Sequence, residues 1–151
     1  MKNGNQGIVG EIMTGSPVTL RPDDTLNLAN DLIFLGRIRH IPVAEGSRLV
    51  GIISERDLLG AAAERLFGLK PKARSALLRS VLVRDIMKRR VVTAEPDTPI
   101  TRAAHLMAAN KIGCLPVVSE GALVGLVTST DILRYVEGRS TRPDESSYAA
   151  R

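Results

Sequence analysis

The sequence predicts an α+β fold made of two β-α-β-β-α repeats packed together with pseudo-two-fold symmetry. The first observation behind this prediction is an internal repeat, because Val9 to Leu59 aligns without a gap on Val83 to Leu133, 74 residues later. The second is that each copy alternates aliphatic runs with helical patterns. The third is composition, since 44% hydrophobic and 25% charged residues are typical of a globular chain.

The two copies agree in one register over the whole repeat, which chance does not produce. Two similar halves are therefore expected. The matching pairs are Ile12-Met13 with Ile86-Met87, Pro22-Asp23 with Pro96-Asp97, Pro42-Val43 with Pro116-Val117, Leu49-Val50-Gly51 with Leu123-Val124-Gly125, and Asp57 with Asp131.

Each copy begins with a short lead segment and one helix. In the first copy the lead is at 11–13, and a β-prone run at 18–20 precedes a helix from Leu26 to Leu35. In the second copy Thr98 is predicted to cap this helix, with Pro99 at its first position. The apolar stripe of that helix consists of Ile100, Ala103, Ala104, Met107 and Ala108.

Two strands and a second helix complete each copy. Each first helix is predicted to end near a glycine, Gly36 or Gly113, and second helices are predicted to begin at Glu55 and Ser129. The predicted strands are His40–Ala44, Leu49–Ser54, Cys114–Val118 and Leu123–Thr128.

The repeat predicts four segments: a first domain at 1–68, a basic connector at 69–82, a second domain at 83–138 and a flexible tail at 139–151. The net charge is +5, and cations are concentrated between Lys70 and Arg90. Such a run attracts anions, including nucleic acid, or it forms a solvated helix face.

Several functional classes lack support in the sequence. Cys114 is the single cysteine, so no internal disulfide is expected, and with no apolar span or signal peptide the chain is expected to be cytoplasmic. Cys114 is predicted to be buried and His105 solvated. Neither zinc-ligand spacing nor a P-loop or nucleophile elbow is present. We therefore expect no enzyme, no catalytic residue, no metal site and no catalytic cofactor.

The duplicated motifs resemble a pair of CBS (cystathionine β-synthase) domains. The resemblance covers nearly the whole repeat and is most specific at Gly51–Asp57 and Gly125–Asp131, which end in Ser-x-x-Asp and Thr-x-x-Asp. It implies a regulatory module that binds AMP, ADP or ATP in clefts between the two halves, with S-adenosylmethionine and NAD as further candidates. It also implies a homodimer that regulates an enzyme or transporter.

The chemistry of a nucleotide assigns roles to these residues. A carboxylate accepts hydrogen bonds from ribose hydroxyls, which makes Asp57 and Asp131 the candidates, and hydroxyls at helix starts hold phosphate. The same Ser/Thr-x-x-Asp pattern is also a capping box, so a purely structural role stays open. The phosphate candidates are Ser54, Thr128 and Thr130, and the adenine candidates are Val18, Thr19, Ile41, Pro42, Thr93, Leu115 and Pro116.

The copies differ where phosphate would bind. Arg39, His40 and Arg56 in the first copy are candidate ligands for phosphate. Gly113, Cys114 and Thr130 stand at the same places in the second copy, so two unequal clefts are expected. Two other functions stay open: a nucleic-acid-binding module, which the scarcity of aromatic residues disfavours, and a structural dimerisation module.

Overall fold

The computed structural model describes residues 6–138, so the tail predicted at 139–151 lies outside the described residues. The elements in chain order are α1 (Val9–Ile12), β1 (Thr14–Gly15), α2 (Leu26–Gly36), β2 (His40–Glu45), β3 (Arg48–Ser54), α3 (Glu55–Leu66), α4 (Pro71–Ser80), a 3-10 turn (Val83–Asp85), α5 (Ile100–Asn110), β4 (Cys114–Ser119), β5 (Ala122–Thr128) and α6 (Ser129–Val136).

The chain divides into two compact units. The first-repeat unit contains Pro17–Val91 and Gly121–Leu123. The second-repeat unit contains residues 6–16, Val92–Glu120 and residues 124–138. The lead segment of the first copy therefore belongs to the second-repeat unit, and the lead segment of the second copy belongs to the first-repeat unit. The domain boundaries predicted above follow the sequence repeat, and the compact units regroup the two leads.

In the first-repeat unit, β2 and β3 form an antiparallel hairpin. Lys88 pairs with Ile52 at the outer side of β3, through N–H···O bonds of 2.9 and 3.0 Å in the two directions. Leu20 forms a parallel bridge to Val43 on β2. The predicted strand at 18–20 is therefore reduced to one bridging residue, because Val18 and Thr19 are exposed and outside any strand.

The second-repeat unit has the same plan. Its sheet has the order β1-β5-β4, with Thr14 opposite Leu126. Ala94 forms the parallel bridge to Val117 that corresponds to the bridge from Leu20. Each β-α-β-β-α repeat thus becomes a small sheet completed by the lead segment of the other copy.

Each unit has its own aliphatic core. Helix α2 buries Leu26, Ala29 and Ile33, and helix α5 buries Ile100, Ala103 and Met107, which is the spacing of one helix face. The first-repeat core consists of Leu20, Leu26, Ala29, Ile33, Ile41, Val43, Ile53, Leu58, Val83 and Met87. The second-repeat core consists of Val9, Ile12, Ala94, Ile100, Ala103, Met107, Leu115, Val117 and Val127.

The helix starts at Glu55 and Ser129 are confirmed. The predicted start of α5 was wrong: Pro99 is the N-cap residue, and the helix begins at Ile100. Thr98 does not cap the helix, because its Oγ1 accepts the Glu95 N–H at 2.9 Å and stabilises the preceding turn instead.

The predicted glycines lie near the two helix ends, as expected, but other residues adopt the left-handed conformation there. The left-handed residues that end α2 and α5 are Arg37 (φ 52°) and Lys111 (φ 53°), not glycines. Gly36 is the last residue of α2, and Gly113 lies just before β4. A non-glycine residue in this conformation carries a modest strain, which the surrounding fold maintains.

Two glycines in the last strands allow the lead segments to approach closely. A methyl group on Gly51 would lie 2.6 Å from Met87 Sδ, and one on Gly125 would lie 2.5 Å from Met13 Sδ. We expect Gly51→Ala and Gly125→Ala each to lower the free energy of unfolding by about 1–3 kcal/mol through overpacking. Urea unfolding followed by circular dichroism measures this change.

Gly60→Ala is the matched control, because an added methyl group there meets nothing within 4 Å and the residue lies inside α3. This variant should gain about 0.4–1 kcal/mol. Wild-type stability in the Gly51→Ala and Gly125→Ala proteins would show that the lead segments are not packed against these strands.

Candidate ligand-binding site

The first candidate carboxylate lies at the start of α3. Asp57 N–H donates to Ser54 Oγ at 3.1 Å, and the Ser54 N–H and hydroxyl donate to Asp57 Oδ2 at 3.0 and 2.8 Å. This is a complete capping box, which satisfies N–H groups that α3 leaves open. All the capping bonds of the carboxylate use Oδ2, so Oδ1 stays outside the cap.

The second repeat repeats this arrangement at the start of α6. Asp131 N–H donates to Thr128 Oγ1 at 3.2 Å, and the Thr128 N–H and hydroxyl donate to Asp131 Oδ2 at 2.8 and 3.0 Å. Asp131 is 9% exposed. The capping role is therefore present in both copies, and it leaves the same oxygen of each carboxylate unused.

The two carboxylates differ in their partner on Oδ1. Lys88 Nζ lies 3.2 Å from Asp57 Oδ1, and the lysine side chain is 63% exposed. Asp131 has no ion pair with any residue between 6 and 138. Thr14 occupies the position in the second-repeat unit that Lys88 occupies in the first. Thr14 pairs with Leu126 on β5, and Lys88 pairs with Ile52 on β3.

His40 lies beside this ion pair at the start of β2 and is half-buried. Burial lowers the pKa of its imidazole below 6.5, and this effect exceeds the raising effect of the Asp57 carboxylate. Arg39 and Lys88 also lower this pKa, whereas Glu55 raises it, so all these charges lie near the ring. The Glu55 N–H donates to the Arg39 carbonyl at 2.9 Å, which joins β2 to the start of α3.

Cys114 occupies the corresponding place in the second repeat and is buried, as predicted. Burial raises the pKa of its thiol to about 12, and the Asp131 carboxylate adds to this effect. The Ser129 N–H donates to the Gly113 carbonyl at 2.9 Å, as Glu55 does to Arg39. The backbone of the two sites is therefore alike, and the second site holds Thr14 and Gly113 where the first holds the cations Lys88 and Arg39.

The structure buries some of the predicted site residues and leaves others exposed to solvent. The side chains of Ile41 and Leu115 are fully buried in the two cores, and Pro42 and Pro116 are buried too. The residues that are exposed are Val18, Thr19, Arg39, Arg56, Thr93 and Thr130. The contact of this set with a ligand stays a prediction.

Lys88 was not among the predicted site residues, because in the sequence it is one of many cations in a basic run. Its alignment with Thr14 marks it as a difference between the copies, but only the pairing with Ile52 brings it to Asp57.

The other histidine, His105, is exposed on α5, as predicted. None of the helices within residues 6–138 is long and apolar enough to cross a membrane.

The sequence pattern of the CBS domain matches this chain twice, at residues 9–64 and 83–138. The chain belongs to the CBS domain family. Its two repeats and their mixed helix-and-strand fold are those of a CBS domain pair, which confirms the resemblance seen in the sequence.

Two relatives show how CBS pairs occur. A CBS domain-containing protein of Dictyostelium discoideum is 35% identical over 128 residues, which cover 83% of this chain and 88% of that protein. A homoserine O-acetyltransferase of Methanohalobium evestigatum is 33% identical over 131 residues, which cover 85% of this chain. The chain spans only 24% of the length of that enzyme.

Two solved structures of similar CBS pairs contain ligands. The CBS domain pair of protein MJ0100, in complex with 5′-methylthioadenosine and S-adenosyl-L-methionine, is 29% identical with a TM-score of 0.72, and the match covers 87% of this chain and 97% of that one. CBSX2 in complex with AMP is 27% identical with a TM-score of 0.72, and the match covers 87% and 96%. The ligands of both proteins contain adenosine.

The lowered pKa of His40 makes stability depend on pH. Because the folded-state pKa lies below 6.5, the unfolded chain binds more protons as the pH falls through 6.5, so His40 destabilises the fold below that pH and not above it. We expect the unfolding free energy to fall more steeply from about pH 7.5 to about pH 5 in wild type than in His40→Gln. Urea unfolding at several pH values measures it. His105→Gln is the control, and a His40→Gln curve parallel to wild type would contradict the assignment.

The raised pKa of Cys114 makes its thiol unreactive. Relative to an ordinary thiol of pKa 9.0, a pKa of about 12 lowers the thiolate population about 1000-fold. We expect iodoacetamide at about pH 8 to modify the native protein far more slowly than the protein in guanidinium, which serves as its own control because Cys114 is the single cysteine. Modification of the native protein at the rate of the denatured one would contradict this environment.

Proposed function

We propose that this CBS pair is a non-catalytic sensor that binds an adenosine-type ligand, AMP, ADP or ATP, at Asp57 and Asp131. One observation carries the proposal: each carboxylate is fixed at a helix start through Oδ2, while Oδ1 stays outside the cap. A carboxylate held in this way is preorganised to accept hydrogen bonds from a ribose diol without rearrangement of the fold.

The surrounding groups suit the rest of the ligand. Thr130 places a hydroxyl at the start of α6, where the helix dipole favours phosphate oxygens, while the Thr128 hydroxyl already donates to Asp131 Oδ2. At the start of α3 the Ser54 hydroxyl donates to Asp57 Oδ2 in the same way, and Arg56 is the second residue of the helix. The ligands of the similar CBS pairs, methylthioadenosine, S-adenosylmethionine and AMP, have the adenosine part in common. S-adenosylmethionine and NAD are therefore further candidates here.

A sensor must pass its state to another protein. We infer that the ligand shifts the population between two arrangements of a homodimer because it binds one arrangement more tightly, and that a regulated enzyme or transporter responds to this shift. The relatives support this role, since the same domain pair occurs as a minor part of much longer proteins such as homoserine O-acetyltransferase.

Thermal unfolding with AMP, ADP, ATP, NAD, S-adenosylmethionine and GTP, each at millimolar concentration, tests the proposal. An adenosine ligand at about 100 times its Kd should stabilise the protein by about 2.7 kcal/mol, which raises the Tm by several degrees. GTP should give no such shift. In the Asp57→Asn/Asp131→Asn protein the shift should disappear, because the amide keeps an oxygen for the cap but loses the charge.

The control is Asp31→Asn/Asp97→Asn, which changes one exposed aspartate in each unit and should leave the shift intact. If no adenosine ligand shifts the Tm of the wild-type protein, the two aspartates are helix caps only and the sensor proposal is wrong.

A further inference from the structure

We propose that the two repeats sort adenosine ligands by charge, with Lys88 as the specificity-determining residue. On this proposal the first repeat binds phosphorylated ligands, and the second binds adenosines without phosphate, neutral or cationic. The inference rests on the proposed function and deepens it, because it assigns a different ligand class to each carboxylate.

Four aligned positions around the carboxylates carry the inference, and all four change in the same direction. In the first-repeat unit three of them are cations and the fourth is a histidine, and in the second-repeat unit each is neutral. The pairs are Lys88 with Thr14, Arg39 with Gly113, His40 with Cys114, and Arg56 with Thr130. The helix caps, the backbone bond between strand and helix, and the carboxylates themselves are the same in both copies.

The position of Lys88 is set by the backbone. Two N–H···O bonds with Ile52 hold its main chain against β3, and its ammonium group lies 3.2 Å from Asp57 Oδ1. The same register in the second-repeat unit places Thr14 opposite Leu126, and a threonine side chain supplies a neutral hydroxyl instead of an ammonium group. The difference in charge at Oδ1 of the two carboxylates therefore comes from the residue type at one fixed backbone position.

Lys88 competes with the ribose for the oxygen that the cap leaves unused. A neutral adenosine must displace the ammonium group from Asp57 and offers it no new partner. A ligand with phosphates offers a new anion, and the 63% exposed lysine side chain has the flexibility to follow it. Arg39 lies close enough to His40 to lower the pKa of its imidazole, so it adds positive charge near that ring. The first repeat thus favours ligands in proportion to their negative charge.

The second repeat has the opposite balance. Asp131 is 9% exposed and has no cationic partner among the described residues. Its negative charge therefore repels a nearby phosphate and attracts a cation such as a sulfonium group. Cys114 supplies no compensating charge, since burial keeps its thiol protonated at neutral pH. Ligands that carry no phosphate are favoured at this carboxylate relative to the first one.

Isothermal titration calorimetry with ATP, 5′-methylthioadenosine and S-adenosylmethionine tests the sorting. Asp131→Asn leaves the first site and Asp57→Asn leaves the second. We expect ATP to bind the first site at least about 10-fold more tightly than methylthioadenosine, and the order to reverse at the second. Lys88→Thr should weaken ATP binding at the first site about 10-fold and strengthen methylthioadenosine binding. Thr14→Lys should do the reverse at the second site.

Lys88→Gln keeps the long side chain and should match Lys88→Thr, which separates the loss of charge from a loss of packing. Lys72→Thr, an exposed cation on α4, is the control for net charge and should change nothing. Equal preferences at both sites, or binding that is insensitive to Lys88→Thr and Lys88→Gln, overturns the sorting alone. If wild type binds none of the three ligands, the proposed function is overturned together with this inference.

Discussion

The backbone pairing of each lead segment with the last strand of a sheet is the contact on which the rest of each unit depends. Lys88 pairs with Ile52, and Thr14 pairs with Leu126. This pairing covers a strand edge that would otherwise expose unpaired N–H and C=O groups. It also places a methionine of each lead over a glycine, which closes the side of the core. The same contact therefore completes the sheet and delivers one side chain to the candidate site.

The candidate site uses groups that the fold already needs. A capping box stabilises the start of α3 and α6, and the carboxylate that serves the cap has one oxygen to spare. Because the cap already holds the carboxylate in one orientation, a ligand that bound there would lose no entropy in ordering it. On the proposed function, capping and binding reside in one residue, so we expect removal of Asp57 or Asp131 to change both stability and affinity.

The two repeats preserve structure and vary charge. Where the copies pack their cores, the aligned residues are apolar in both units and most are similar in size, with Leu20 aligned with Ala94 as an exception. Around the carboxylates, basic residues in the first-repeat unit align with neutral residues in the second-repeat unit. Packing tolerates only small changes in volume, whereas a change of charge at the surface costs the fold little. A duplicated domain can therefore acquire two different sites without loss of its scaffold.

The sequence by itself determined the repeat, the order of helices and strands, the α+β class and the family, because these depend on local periodicity and on motifs that lie close together in the chain. It also located the two carboxylates and their caps, since a capping box spans only four residues. The sequence did not predict the start of α5 correctly. The Thr98 hydroxyl can bond either to the turn before it or to the helix after it, and in the structure it accepts the Glu95 N–H of the turn.

Only the tertiary structure decided which lead segment completes which sheet, because the two leads are similar in sequence and the repeat alone pairs each with its own copy. The role of Lys88 depends on that exchange. The residue is distant from Asp57 in the sequence and is one cation among many, and it becomes the partner of that carboxylate through the hydrogen bonds with Ile52. A contact between residues far apart in the chain has no local signature, so tertiary packing alone determines it.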